Sequence, residues 1–287
     1  MRIASTKIAD VIKFFRNELK DIYDPGEIET FILYCFDAYL NFNKTDLILS
    51  ATENVTESEL LKFNFAVKQL KQQRPIQYIL GQADFYRLKF KVDEHVLIPR
   101  PETEELVDLI IQEQKHKQSL SLLDIGTGSG CIAISLKKNL PQAHVSALDV
   151  SDEALIIAKQ NAQSNQADII FFKEDILKWD ANKTDKYDCI VSNPPYICFS
   201  EKEEMHKNVL EHEPHLALFV PDEDPLLFYN AIADFSLKCL KTGGKLYFEI
   251  NASYGLIIKQ MLDRKGFKNT TIINDLNNKN RILHGSI

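Results

Sequence analysis

Several things are missing from this chain, and each absence narrows it. No stretch of its 287 residues is apolar for long enough to span a membrane. The opening residues, MRIASTKIADVIKFF, set charges into an apolar pattern and contain no signal-peptide core. CxxC pairs are absent: Cys35, Cys131, Cys189, Cys198 and Cys239 are dispersed. An odd, scattered set argues for reduced thiols in a cytoplasmic protein. Positive charge is not in excess either. A formal charge of −7 gives no sign of a phosphate-backbone binder, although an acidic protein can still carry a basic patch. No internal repeat or low-complexity segment is present. What remains is ordinary: 45% hydrophobic and 26% charged residues predict a soluble globular protein of one or two domains with room for a core.

Residues 1–78 read as a helical domain. IADVIKFFRNEL places Ile8, Val11, Ile12, Phe14, Phe15 and Leu19 near a helical period. EIETFILYCFDAYL continues in that style after a Pro25-Gly26 turn. TESELLKFNFAVKQL opens with Thr56 and has Glu59 three residues on, a capping-box pattern. No catalytic constellation falls here; partner recognition and a structural appendage are both open. Residues 79–101 form a linker in which Phe85, Leu88, Phe90 and Val92 suggest a β-hairpin. From 102 to 287 strands alternate with helices, which predicts a parallel sheet covered on both faces.

Two stretches carry chemistry. In LLDIGTGSGCIAI a strand ending at Asp124-Ile125 runs into Gly126-Thr127-Gly128-Ser129-Gly130 and then a helix. Glycines let the backbone approach a ligand, and the helix start offers free N–H groups. The dinucleotide form G-x-G-x-x-G would need glycine at position 131, where Cys131 stands. Asp124 either orients this loop or faces a ligand. Asp149 ends the next strand, where an acid can accept from two ribose hydroxyls. Asp175 follows the third strand and can accept from an adenine amino group, with Ile176 packing beside the ring; its alternative is a helix cap. Three acids at three strand ends beside a glycine loop favour S-adenosylmethionine over a nicotinamide dinucleotide.

The second stretch, CIVSNPPYIC, ends a buried strand with Asn193-Pro194-Pro195-Tyr196. Two prolines stop the strand, and Asn193 before them is driven to extended backbone. The result is a stiff turn at the sheet edge where α/β proteins bind ligands.

Taken in order, IPRPETEELV, LLDIGTGSGCIAI, LDVSDEALIIAKQNA, VSNPPYI and EPHLAL resemble the protein-(glutamine-N5) methyltransferases that modify peptide chain release factors, the PrmC/HemK family. RPIQYILGQADFYRLKFKV extends the resemblance over nearly the whole chain. It implies a Rossmann-like class I S-adenosylmethionine-dependent methyltransferase domain preceded by a small helical bundle and a β-hairpin linker. It implies that Gly126 to Gly130 hold the methionine end of the cofactor, Asp149 the ribose, and Asn193 to Tyr196 the substrate glutamine, with Asn193 also beside the cofactor. The segment with Arg100, Glu102 and Thr103 is expected to flank the cofactor. Departures occur at FVPDEDPL, at FEIN, where glycine usually follows EI, and at DLNNKNRIL.

The chemistry expected of the turn is positioning. The side-chain oxygen of Asn193 and the carbonyl of Pro194 would each accept one N–H of the target amide, Tyr196 would pack on its flat face, and the nitrogen lone pair would face the methyl. S-adenosylmethionine, leaving as S-adenosylhomocysteine, is the expected cofactor, with no metal; release factors are the expected protein substrates of a cytoplasmic monomer without nucleic-acid or membrane contacts. HEPH at His212 to His215 is one residue short of a zinc helix and contains Pro214. EKEE at Glu201 to Glu204 reads as a solvated helix start, Cys131 as a small buried side chain, and Lys241 to Lys245 around Gly243-Gly244 as a solvated turn. The rival enzyme is a nucleic-acid adenine-N6 or cytosine-N4 methyltransferase with a flipped base in place of the amide. A rival of another class is a binding protein that kept the fold without methyl transfer.

Overall fold

The computed structural model describes residues 5–180, 182 and 185–287, so the first four residues of the opening stretch lie outside it. It divides into two compact units. The first comprises the chain up to Gly81 together with His206–His212. Its helices are α1 (Ile8–Leu19), α2 (Pro25–Leu40), α3 (Lys44–Leu49), α4 (Glu57–Leu70) and α5 (Ile76–Leu80). The helical spacing read from α1 buries Ile8, Val11, Phe15 and Leu19 and leaves Ile12 and Phe14 half-buried. Phe63 of α4 centres the core, 4.4 Å from the Phe36 ring and edge-on to Phe15 and Tyr39. Such pairs add stability beyond the area they bury. The Thr56–Glu59 capping box forms in both directions, at 2.7 and 3.2 Å. A second box, Asn43 with Asp46, starts α3.

The second unit comprises 82–205 and 213–287. It opens with a hairpin, β1 (Gln82–Phe85) and β2 (Leu88–Lys91), which buries Phe85 and Phe90. Its turn residues Tyr86 and Arg87 both have positive φ, 47° and 63°. This backbone matches the twist of paired strands but usually takes asparagine or glycine. Tyr86 is held there by its N–H to Glu104 (2.8 Å) and its hydroxyl to Asp108 (2.9 Å).

The chain then runs through α6 (Pro101–Gln114), β3 (Leu120–Ile125), α7 (Cys131–Asn139), β4 (Ala143–Asp149), α8 (Asp152–Ser164), β5 (Ile169–Lys173) and β6 (Tyr187–Ser192). After β7 (Ile197–Cys198) comes α9 (Lys207–Leu210), which lies in the segment belonging to the first unit. The chain ends through β8 (Phe219–Val220), α10 (Leu227–Cys239), β9 (Leu240–Glu249), α11 (Gly255–Lys265), β10 (Lys268–Asn274) and β11 (Asn280–Ser286). The main sheet has the order β10-β11-β9-β6-β3-β4-β5. Strands β9, β6, β3, β4 and β5 are parallel neighbours; β11 pairs antiparallel with both β9 and β10. The all-parallel sheet expected from strand-helix alternation is thus corrected at one edge, because β10 and β11 are joined directly rather than through a helix. Core side chains cover both faces, around Leu122 and Val191 on one side and Leu123 and Ile190 on the other, as doubly wound sheets require.

The Gly243-Gly244 region is also corrected. It lies inside β9, next to a register shift against β6. Lys241 and Lys245 are paired with Asp188 and Glu113, each at 2.7 Å, rather than standing free in a turn. Among the described residues no helix is long and apolar enough to cross a membrane.

Candidate active site

Strand order reverses at β3, which has β4 on one side and β6 on the other. The loops beyond those strands must part there, and a crevice opens outside their C-terminal ends. A cavity of about 350 Å³ occupies this position. Gly126 and Gly128 enter it from β3, Asp149 from β4, Asp175 and Ile176 from the segment after β5, and Asn193, Pro194 and Pro195 from β6. The structure therefore brings most of the residues singled out in the sequence into one space. Thr127, Ser129, Gly130 and Tyr196 are not part of its lining.

The glycine loop is held from below. Gly128 has φ +53°, and its N–H donates to Asp149 Oδ2 at 2.9 Å; Ser151 N–H donates to Oδ1 at 3.0 Å. Asp149 thus shapes the loop as well as facing the cavity. Burial pushes its carboxyl up, and the N–H donors oppose that shift. Thr127 turns inward, its hydroxyl donating to Asp124 Oδ2 at 2.6 Å. Asp124 is 1% exposed. Burial drives its carboxyl up to about 7 against the Thr127 hydrogen bond. It orients the loop from beneath and does not line the cavity. Gly130 has another task. Its φ is +82°, and an added Cβ would lie 3.0 Å from Ile134 Cδ1 and 3.3 Å from Ala158 Cβ. It is a close-packing residue between α7 and α8. Gly130→Ala is expected to cost about 1–3 kcal/mol through left-handed backbone strain and overpacking, seen as a lower urea midpoint.

Asn161 of α8 was passed over in the sequence, although it reads within AKQNA. It is buried and donates to the carbonyls of Ser129 and Lys91, both at 2.9 Å, while Lys91 N–H returns a bond to its Oδ1. One side chain so ties the glycine loop to the end of the hairpin. Asp175 caps the single turn Ile176–Lys178 by accepting from Leu177 N–H at 3.0 Å, and it lines the cavity as well. The cap does not remove Asp175 from the cavity wall.

The wall opposite comes from two loops. Glu94 to Leu97 line the cavity, whereas Arg100, Glu102 and Thr103 do not. The PRPETE segment stands behind that lining, with Thr103 in contact with Asn193. Arg100 instead reaches Glu213, Nη2 to Oε1 at 2.5 Å, and Ile98 N–H donates to Glu213 Oε2 at 3.2 Å. The Glu213 side chain is 1% exposed. It clasps the 94–100 segment to the loop whose Pro214, Leu216 and Ala217 also line the cavity. Within HEPH the residue that acts is this glutamate. Among the described residues no group of His, Cys, Asp and Glu is arranged to hold a metal.

The proline turn is fixed by buried polar groups. Asn193 Nδ2 donates to Thr103 Oγ1 at 3.4 Å, and Thr103 donates to Glu249 Oε2 at 2.6 Å. Tyr196 directs its hydroxyl at Glu249 Oε1, 3.4 Å away. A buried phenol needs such a partner, and this one anchors the Tyr196 end of the turn. Asn251, standing where glycine is usual, donates to the Tyr196 carbonyl at 3.3 Å. Among the described residues nothing donates to Asn193 Oδ1 or to the Pro194 carbonyl.

Glu94, Asp149, Glu174 and Asp175 line the cavity, and no lysine or arginine does. That balance suits a cationic ligand and disfavours a pyrophosphate. Glycine loop, strand-end acids and proline turn on this sheet define a class I methyltransferase. Comparison with known proteins agrees. Residues 103–214 match the methyltransferase small domain and residues 10–81 the PrmC N-terminal domain. The release factor glutamine methyltransferase of Flavobacterium psychrophilum is 48% identical over 280 residues, covering 95% of this chain and 98% of its own length. That of Bacteroides thetaiotaomicron is 47% identical with the same coverage, 95% and 98%. A methyltransferase from Pyrococcus furiosus shares the fold, with a TM-score of 0.51 at 17% identity over 69% of this chain and 88% of that one. The chain belongs to the release factor glutamine methyltransferase family.

Proposed function

We propose that this protein transfers a methyl group from S-adenosylmethionine to the N5 nitrogen of the glutamine in the Gly-Gly-Gln loop of peptide chain release factors. The observation that carries the reading is that one cavity, free of lysine and arginine, is lined both by the glycine–acid constellation and by Asn193-Pro194-Pro195. Its residues fit the cofactor. A Cβ at Gly126 or Gly128 would meet open space, so these two leave room for a ligand against the backbone. A carboxylate has about four acceptor positions, so Asp149 can take ribose hydroxyls while keeping Gly128 and Ser151. Asp175 and Ile176 suit an adenine edge and face.

Bound S-adenosylmethionine supplies an electrophilic methyl on a sulfonium. The protein's part is to aim the nitrogen. A primary amide is a poor nucleophile because its lone pair is delocalised into the carbonyl. Asn193 Oδ1 and the Pro194 carbonyl accept the two amide hydrogens, and the pair of prolines fixes in advance the backbone that carries both. Little reorganisation is then needed as positive charge develops on nitrogen. The helical unit serves to recognise the release factor, and the enzyme acts as a cytoplasmic monomer.

Purified protein with methyl-labelled S-adenosylmethionine tests this, offered release factors, their Gly-Gly-Gln Gln→Ala variants, DNA and RNA in parallel. Label is expected on the wild-type factor alone. Label on nucleic acid, or on the Gln→Ala variant, overturns the reading.

A further inference from the structure

Asn193 can serve as an acceptor only if its amide is turned the right way round. Its oxygen and nitrogen occupy similar space, and a flip would present NH₂ to an incoming NH₂. Something must therefore set the orientation, and the surroundings do so through the direction of their hydrogen bonds. Thr103 Oγ1 lies 2.6 Å from Glu249 Oε2, and a carboxylate can only accept. The threonine proton is committed there, which leaves its lone pairs facing Asn193. Asn193 must answer with its nitrogen, at 3.4 Å, and its oxygen is left for the cavity. Tyr196 donates to the second carboxylate oxygen, so Glu249 is an acceptor on both sides.

We infer that Thr103 and Glu249 are positioning residues that polarise the Asn193 amide, keeping its oxygen toward the substrate. Neither residue lines the cavity, so each acts through Asn193. Both are nearly inaccessible, 2% and 1% exposed. A lone carboxylate is costly at such a site unless it is hydrogen-bonded. This inference rests on the reading of Asn193 Oδ1 as the acceptor of a substrate N–H.

Protonation of Glu249 would reverse the relay. A carboxylic acid could donate to Thr103, which would then donate to Asn193 Oδ1 and turn the amide. Burial pushes the Glu249 carboxyl up; the Thr103 hydrogen bond and the Arg281 charge oppose it, and Glu102 adds to it. Tyr196 and Tyr229, the latter bonding the Glu249 backbone carbonyl at 3.2 Å, and Cys131 complete the titratable surroundings. Since the shift is upward, the active polarity is lost as pH falls, and it is lost at a higher pH than an unshifted glutamate would set.

The test compares wild type with Thr103→Val, Thr103→Ser and Glu249→Gln. It reads kcat and KM for release-factor methylation against pH, and by calorimetry the affinities for S-adenosylhomocysteine and for the unmethylated factor on the loaded enzyme. Thr103→Val is expected to lower kcat about tenfold, the worth of one orienting hydrogen bond. S-adenosylhomocysteine affinity should stay within about twofold, and the acid limb of kcat should flatten. Thr103→Ser, which keeps the hydroxyl, should recover most of the rate. Glu249→Gln, which can donate toward Thr103 or Tyr196, should lose rate at unchanged cofactor affinity even where the valine variant folds poorly. Wild-type kcat in Thr103→Val, or a loss that follows S-adenosylhomocysteine affinity, overturns the relay. Failure of the wild type to methylate the factor instead removes the reading beneath it.

Discussion

Asn193→Ala is expected to lower kcat for release-factor methylation by about 10²-fold or more, the scale set by removing one preorganised polar group at a reacting centre. Cofactor affinity should fall only a few-fold, because Gly126, Gly128, Asp149 and Asp175 remain in the same cavity. The loss has two parts. One acceptor for the substrate N–H disappears, and the nitrogen lone pair is no longer held toward the methyl. The other acceptor, the Pro194 carbonyl, is set by backbone that the substitution leaves alone. Single-turnover methyl transfer at saturating cofactor, paired with calorimetric titration, separates the two quantities. Unchanged single-turnover rate would remove Asn193 from the chemistry.

Glu213→Ala should act on the other wall. The side chain holds Arg100 and the Ile98 N–H, and through them two loops that line the cavity. Removing it strands a guanidinium that is 33% exposed and leaves a buried N–H without a partner. Breaking a buried pair from one side costs about 3–5 kcal/mol, and the partial exposure of Arg100 brings the expectation to about 2–3 kcal/mol. Glu94–Leu97 and Pro214–Ala217 lose their common tether, so affinity for S-adenosylhomocysteine should fall at least about tenfold. Glu213→Gln keeps an acceptor for Ile98 and should fall between. Thermal unfolding and calorimetry check both parts; a cavity that binds normally in Glu213→Ala would show that the clasp is not needed.

What could be read from the sequence had short range. The positions of Asp149 and Asp175 on the cavity wall are legible because each follows a strand whose end is marked by its own neighbours. Pro194-Pro195 was found because proline limits its own backbone and that of the residue before it. In the first unit α1 and α2 are legible from periodicity and α4 from its capping box, while α3 and α5, of six and five residues, are too short to show a period. The partners of the proline turn were not legible. Thr103 is 90 positions from Asn193 and 146 from Glu249, and nothing local says that α6, β6 and β9 bring them together. Glu213 was hidden by the histidines around it, which posed a question about metal and drew attention from the carboxylate. The C-terminal strands Lys268–Asn274 and Asn280–Ser286 go unread in the sequence, and hydrophobic alternation, the same read forwards or backwards, would not give their direction. The FEIN departure was visible, yet only the fold shows Asn251 holding the Tyr196 carbonyl.

The assignment of His206–His212 to the helical unit bears on how the protein can be taken apart. The chain passes between its two units after Gly81, after Met205 and again after His212. A cut at the first crossing does not yield two independent modules. A fragment beginning at Gln82 would keep the whole cavity lining but carry, between the proline turn and Glu213, a segment separated from the helices it packs with. A fragment ending at Gly81 would lack that same segment. Shuffling the helical unit between relatives therefore means exchanging two pieces of sequence together, and the second lies inside the catalytic gene segment.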